Sequence, residues 1–208
     1  MAVRIESCYA QQCATHSDIN EHLPTLKFYA AQCQTAAEFG VRGVVSTWAL
    51  LSGLHASTAP GPKRLDCIDI VPVDMCSAKA AAISVGITLE FQQVDSVKAS
   101  LPTGTDMLFI DTWHVYGHLK RELAAHHGQV RKFIAMHDTT VDALVGETIR
   151  CYGMGAVAGA AAQSGYSISE VSTGLQLAIM EFLGEHPEWV IDRADTNNNG
   201  LTVLKRIA

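Results

Sequence analysis

Two stretches decide how this chain reads: Asp106-Met107-Leu108-Phe109-Ile110-Asp111-Thr112-Trp113-His114 and Phe133-Ile134-Ala135-Met136-His137-Asp138. Each sets four apolar residues in a row directly before polar groups, as a strand does when both its faces are buried and its end meets solvent. Between them, Tyr116 to His127 carries a helical pattern. Strand, helix and strand in this order form a βαβ unit, which implies a parallel sheet.

The same alternation extends outward. Upstream, Thr35–Phe39 is a short apolar strand followed by Gly40-Val41-Arg42-Gly43 and a helix with Val44, Trp48 and Leu51 on one face. After the break at Ala59-Pro60-Gly61-Pro62 come a second strand at 64–71, a helix at 75–85 stopped by Gly86, and a third strand at 87–91. A helix at 19–33, with Ser17 or Asp18 as N-cap, precedes all of these, behind a polar leader over residues 1–18. Downstream, a helix at 175–183, strand-like 189–191, the turn Asn197-Asn198-Asn199-Gly200 and strand-like 201–204 describe an antiparallel hairpin closing one sheet edge. Residues 141–170, rich in Gly, Ala and Ser, read as a mobile loop or small helix over the site. The expected architecture is a single α/β domain over residues 19–208 with helices on both faces of a mostly parallel sheet.

Composition narrows the class of function. The chain has 208 residues, 48% of them apolar, enough for one domain with a substantial core. Lys and Arg number 15 against 21 acids, for a net charge of −6, and form no basic run, so no nucleic-acid partner is expected. No stretch approaches the roughly 18 apolar residues of a membrane span. Six cysteines without a CxxC pair fit reduced thiols and a cytoplasmic location. Self-association into a homo-oligomer stays open. Nine histidines beside 21 acids hint at metal or proton chemistry.

In open parallel sheets, ligands bind beyond the carboxyl ends of the strands, where the strand order reverses. The polar residues there are Glu38 and Gly40, then Asp69, Asp95, Asp111 with His114, and His137 with Asp138. The run Glu38-Phe39-Gly40-Val41-Arg42-Gly43, followed by Ser46-Thr47, lets backbone approach a ligand and aims a helix N-terminus at an anionic group, unless it is only a tight turn. It lacks the full G-x-G-x-x-G of nicotinamide sites, although Asp69 could still meet a ribose.

Taken together, this order of acidic glycine turn, Asp69, Asp95, Asp111 and a closing hairpin resembles the class I S-adenosylmethionine-dependent methyltransferases over residues 20–208. The resemblance implies a Rossmann-like three-layer sandwich with a seven-stranded sheet. It also implies S-adenosyl-L-methionine as cofactor, with Gly40, Gly43 and Ser46 near its methionine part, Asp69 on the ribose hydroxyls and Asp95 near the adenine. Glu38, Thr47 and Asp111 join that cofactor set. The family's fuller Gly-x-Gly-x-Gly turn is absent here, at Arg42.

Within that class, the stretches around Asp111 and His137-Asp138 resemble the metal-dependent O-methyltransferases of the catechol and cephalosporin-hydroxylase-like groups. Asp111 and Asp138 lie 27 positions apart, one crossover, so adjacent parallel strands would bring both carboxylates to the same edge. Oxygen ligands suit Mg²⁺, and His137 as third ligand shifts the preference toward Mn²⁺, Fe²⁺ or Zn²⁺. His114, three positions after the strand-four acid, stands where the catechol-type enzymes carry the base; otherwise it caps a helix or bonds a carbonyl. The implied reaction is methyl transfer to a hydroxyl of a small molecule or sugar. The alternatives are a metal-independent enzyme with a histidine base and a non-catalytic cofactor-binding scaffold. Tyr116 and His118 read as helix-start surface or packing residues, His126 and His127 as helix-end groups, and Trp48 and Trp189 as core. His16, His22, His55 and His186 are expected to do nothing catalytic.

Overall fold

A computed structural model describes residues 2–208, with side chains described from Arg4 onward. Seven strands form one sheet: β1 (Thr35–Phe39), β2 (Lys63–Asp69), β3 (Ile87–Gln93), β4 (Thr105–Ile110), β5 (Val130–His137), β6 (Trp189–Asp195) and β7 (Leu201–Arg206). Their order is β3-β2-β1-β4-β5-β7-β6. The first five are parallel, while β7 runs antiparallel to both β5 and β6. The expected α/β class, mostly parallel sheet and closing hairpin are all present.

The apolar runs follow from burial on both faces. Along β4, Met107 and Phe109 enter one core with Leu26, Leu50 and Leu54. Leu108 and Ile110, pointing the other way, enter a second core with Leu119, Leu123 and Phe182. Helices α1 (Ala2–Ala14), α2 (Leu23–Ala30), α3 (Val45–Ala56) and α4 (Cys76–Ser84) cover the first face. Helices α5 (Tyr116–His126) and α9 (Leu175–Glu185) cover the second, so the molecule is a three-layer sandwich. Trp48 and Trp189 are core residues, as expected.

The leader differs from the sequence reading, and residues 141–170 take the helical one of their two expected forms. Most of the polar leader is helix α1: Ile5 is fully buried, and Glu6 bonds Ser52 at 2.6 Å and Lys27 at 2.8 Å. Residues 141–170 fold into short helices α6 (Glu147–Tyr152), α7 (Val157–Ser164) and α8 (Ile168–Ser172) around a small core of Val157, Ala161 and Val171. Among the described residues, no helix is long and apolar enough to cross a membrane.

The strand order reverses between β1 and β4: the connection leaving β1 runs to β2 on one side, and the connection leaving β4 runs to β5 on the other. A crevice opens there, at the carboxyl ends of β1, β2 and β4.

Candidate functional site

The turn after β1 is built by backbone packing. Gly40 has φ +83°, its N–H donates to the Ile68 carbonyl at 2.9 Å, and a Cβ there would overlap the Asp111 carbonyl. Next, the Val41 and Arg42 N–H groups donate to Asp69 Oδ2 at 2.8 and 3.0 Å, while Val71 N–H donates to Oδ1 at 3.0 Å. Asp69 thus clamps the turn and keeps acceptor capacity on the cavity it lines. Val44, with φ +62°, is a β-branched residue in left-handed backbone, a conformation that persists only where its surroundings impose it.

Beneath the turn lies Glu38, fully buried, accepting from Ser46 Oγ at 2.5 Å, Thr47 Oγ1 at 2.7 Å and Cys67 Sγ at 3.3 Å. Burial pushes its carboxyl up to about 7 against the pull of these donors. Glu38 and Thr47 line neither large cavity; they brace the turn from below. Ser46 and Gly43 do line the second cavity. A raised carboxyl pKa favours the fold below the ordinary 4.5 and loses that advantage as pH rises through about 7. Wild type should therefore lose on the order of 3 kcal/mol relative to Glu38→Gln over this window. Urea unfolding of both proteins in chelator at pH 5 and pH 8 measures this, and a pH-independent difference contradicts it.

The first cavity, about 450 Å³, is an apolar slot between Ile68, Ile70, Val94 and Trp113 with acids at its ends. Ile70 is 69% exposed. Asp95 caps a short 3₁₀ turn through Val97 N–H at 3.1 Å and pairs with Lys98 at 3.2 Å. Tyr166, from the segment after α7, stacks on Trp113 at 5.8 Å and 15°. The Trp113 indole N–H donates to Thr148 at 3.1 Å. His118, expected as surface or packing, lines this cavity and bonds Ser96 at 3.1 Å and Tyr166 at 3.0 Å.

A second, polar cavity of about 360 Å³ shares Gly40, Arg42, Asp111 and Thr112 with the first, so the two meet at the strand-four acid. Asp111 Oδ1 lies 3.1 Å from His114 Nε2 and 3.3 Å from His137 Nδ1. His114 Nδ1 is 3.0 Å from Asp138 Oδ2, 3.4 Å from Glu147 and 3.6 Å from Asp142. Proximity is not alignment here: His114 Nδ1 and Asp138 Oδ1 are both buried without a hydrogen-bond partner. Buried orphans of this kind are rare in folded proteins. Asp111, His114 and Asp138 each offer a ligand atom, all within 4.8 Å of one another.

Electrostatics reflect the crowding. Burial would raise Asp111, but hydrogen bonds from His114 and His137 outweigh it and hold the carboxyl well below its usual range. Burial would lower His114, but Asp111 and Glu147 keep its proton on well above the usual imidazole range. Asp138 is shifted up, by burial and by Asp111 and Asp142, partly offset by the two histidines. It sits at φ +57°, a strained position at the end of β5.

The expected ligand set of Asp111, His137 and Asp138 is brought together. His137 Nε2 lies 3.2 Å from the Asn198 carbonyl, leaving Nδ1 toward Asp111 and, at 3.6 Å, Asp138. His114, expected as base, stands among the mutually closest groups instead. Three contributors escaped the sequence reading. Glu147, on α6, accepts from the His114 backbone N–H at 3.1 Å. Asp142 is fully buried and held by Arg150 at 2.6 and 2.7 Å. The hairpin turn, with Asn198 and Asn199 left-handed, presents its Asn198 carbonyl to both His137 and His22. A signal for Asp142 existed in its spacing four positions after Asp138; Glu147 carried none.

No protein-family model matches the sequence, and no curated protein matches it. Solved structures do. An O-methyltransferase from Bacillus cereus in complex with S-adenosylhomocysteine aligns over 98% of this chain and 90% of its own, with 12% identity and a TM-score of 0.56. The O-methyltransferase TomG from Streptomyces achromogenes, in complex with S-adenosylmethionine, aligns over 99% and 90%, at 12% identity and 0.56. The fold is that of the class I methyltransferases. Burkholderia thailandensis 1,6-didemethyltoxoflavin-N1-methyltransferase aligns over 100% and 88%, at 10% identity and 0.57. Oxygen and nitrogen acceptors thus share this methyltransferase fold, and only the site can discriminate between them.

Proposed function

We propose that this chain binds S-adenosylmethionine across the two joined cavities and transfers its methyl group to a hydroxyl of a small molecule or sugar, assisted by a divalent ion. The observation that carries the reading is the junction itself. An apolar slot meets, at Asp111, a polar cavity holding the unpartnered His114 Nδ1 and Asp138 Oδ1. Adenosine suits the slot between Ile70 and Trp113, with Asp69 toward the ribose hydroxyls and Asp95 toward the base. The methionine end then follows Gly40, Gly43 and Ser46 into the second cavity, where Asp111, Asp138 and Glu147 favour a cationic sulfonium.

Asp111 and Asp138 with His114, and His137 behind them, are the residues that would hold the ion. Once bound, a divalent ion supplies Lewis acidity that lowers the acceptor hydroxyl's pKa and fixes its oxygen for in-line attack. In the transfer the sulfonium C–S bond breaks as the C–O bond forms, leaving S-adenosylhomocysteine and a proton to be taken up. His114 is a poor acceptor for that proton while its carboxylate neighbours hold one on it already, and it must lose that proton before it can act as ligand or as base. The same ion-pairing favours a second reading, in which protonated His114 replaces the ion and transfer is metal-independent.

Labelled S-adenosylmethionine and a panel of hydroxylated acceptors, with Mg²⁺, Mn²⁺ or excess chelator, separate these. Transfer that falls at least about 100-fold in chelator supports the first reading; undiminished transfer supports the second. Independently, Trp113→Ala should weaken S-adenosylhomocysteine binding about 10- to 100-fold by removing one wall of the slot. Calorimetric titration checks it, and unchanged affinity removes adenosine from that cavity.

A further inference from the structure

At the end of the sheet away from the cavities, where α5 and α9 end, His127, His186 and Glu188 each offer a ligand atom, all within 4.8 Å of one another. We propose that these residues form a second metal site, selective for a borderline transition ion such as Zn²⁺, which clips the end of α5 to the turn between α9 and β6.

The geometry is prepared. His127 Nδ1 lies 2.8 Å from the Leu123 carbonyl, so it carries the proton and Nε2 keeps its lone pair, the tautomer control that metal-binding histidines use. Its ring packs against His186 at a centroid distance of 4.1 Å and against Phe182 at 5.4 Å, which fixes its plane. His186 Nδ1 is 3.4 Å from Glu188 Oε1. The turn carrying both is clamped by backbone bonds: His186 N–H to Phe182, Trp189 N–H to His186 and Ile207 N–H to Glu188, at 2.8 to 3.0 Å. All three side chains are half-buried, which leaves them open to an ion from solvent. Two imidazoles and one carboxylate are a zinc-type donor set and a poor one for Mg²⁺. Because the site joins two helices and an edge strand, its occupancy raises stability without touching the cavities.

The test uses Asp138→Asn protein, in which the other cluster is impaired, stripped with chelator and titrated with Zn²⁺ against a chromogenic chelator. One tight equivalent is expected. Adding His186→Gln should weaken it at least about 100-fold, and Glu188→Gln, a change at a solvent-facing turn, about 10-fold. Zn²⁺ should raise the melting temperature of Asp138→Asn protein and leave the His186→Gln double variant unmoved. Equal Zn²⁺ affinity with and without Glu188→Gln, or with and without His186→Gln in protein of unchanged circular dichroism, overturns the site. Neither result bears on methyl transfer.

Discussion

Asp138→Asn is expected to lower methyl transfer about 1,000-fold, roughly 4 kcal/mol of transition-state stabilisation, while the ion-free protein becomes no less stable. The two halves have one cause. Asp138 is a buried carboxylate whose Oδ1 bonds nothing, and burial together with Asp111 and Asp142 shifts its pKa up. The fold therefore pays for this charge as pH rises through the raised pKa, and asparagine removes the cost. Asparagine also tolerates the φ of +57° at this position, so the backbone has no reason to move. What it lacks is the anionic oxygen that a divalent ion requires. Thermal melts in chelator and transfer assays with Mg²⁺ or Mn²⁺ check both halves. Activity within a few-fold of wild type would exclude Asp138 from the ion site, and a large loss of stability would assign it a structural role.

Gly40→Ala is expected to destabilise the protein by about 3 to 5 kcal/mol, lowering the melting temperature by roughly 10 °C, and to abolish S-adenosylhomocysteine binding. Here the obstacle is backbone rather than a side chain that can rotate away. The added Cβ meets the carbonyl of Asp111 and the backbone of Thr112, at a φ of +83° that alanine resists. Moving Asp111 aside breaks its N–H bond to Phe39, 2.8 Å, and shifts one of the residues common to both cavities. Gly43→Ala is the control, since its Cβ would meet only Val45 Cγ2 at 3.7 Å. It should cost no more than about 1 kcal/mol. If the two variants melt and bind alike, the close approach of the β1 turn to Asp111 is not what shapes the crevice.

Much of this architecture was legible because burial on both faces writes itself into composition. Thr35–Phe39 was read with its observed bounds, and β4 and β5 were recognised from their apolar centres although they begin earlier, at Thr105 and Val130. Helix α1 escaped because its inward side is Ile5 with Cys8, Tyr9 and Cys13, residues that do not announce an apolar stripe. Residues 141–170 were read only as a mobile loop or small helix because Gly and Ala patterns carry little periodicity, and the anchors of α6 to α8, such as Tyr166 on Trp113, are tertiary.

The site divided along the same line. Acids at strand ends are placed by the sheet, and the carboxylates of Asp111 and Asp138 flank His114 as expected of neighbouring strands. Whether a residue faces the ligand or the interior depends on helix phase and local tilt, which separated Ser46 from Thr47 and sent Glu38 beneath the turn. His118 went the other way for the same reason, from expected packing residue to cavity wall. Glu147 reaches His114 from 33 positions away, a contact that only the folded chain creates.

The most direct test of the central claim is a crystal structure with S-adenosylhomocysteine and Mn²⁺, read by anomalous scattering at the manganese edge. The account predicts adenine between Ile70 and Trp113, the homocysteine end along Gly40 to Ser46, and an anomalous peak bounded by Asp111, Asp138 and a histidine. Cofactor density elsewhere, or a bound cofactor with no anomalous peak between Asp111 and Asp138, would contradict it.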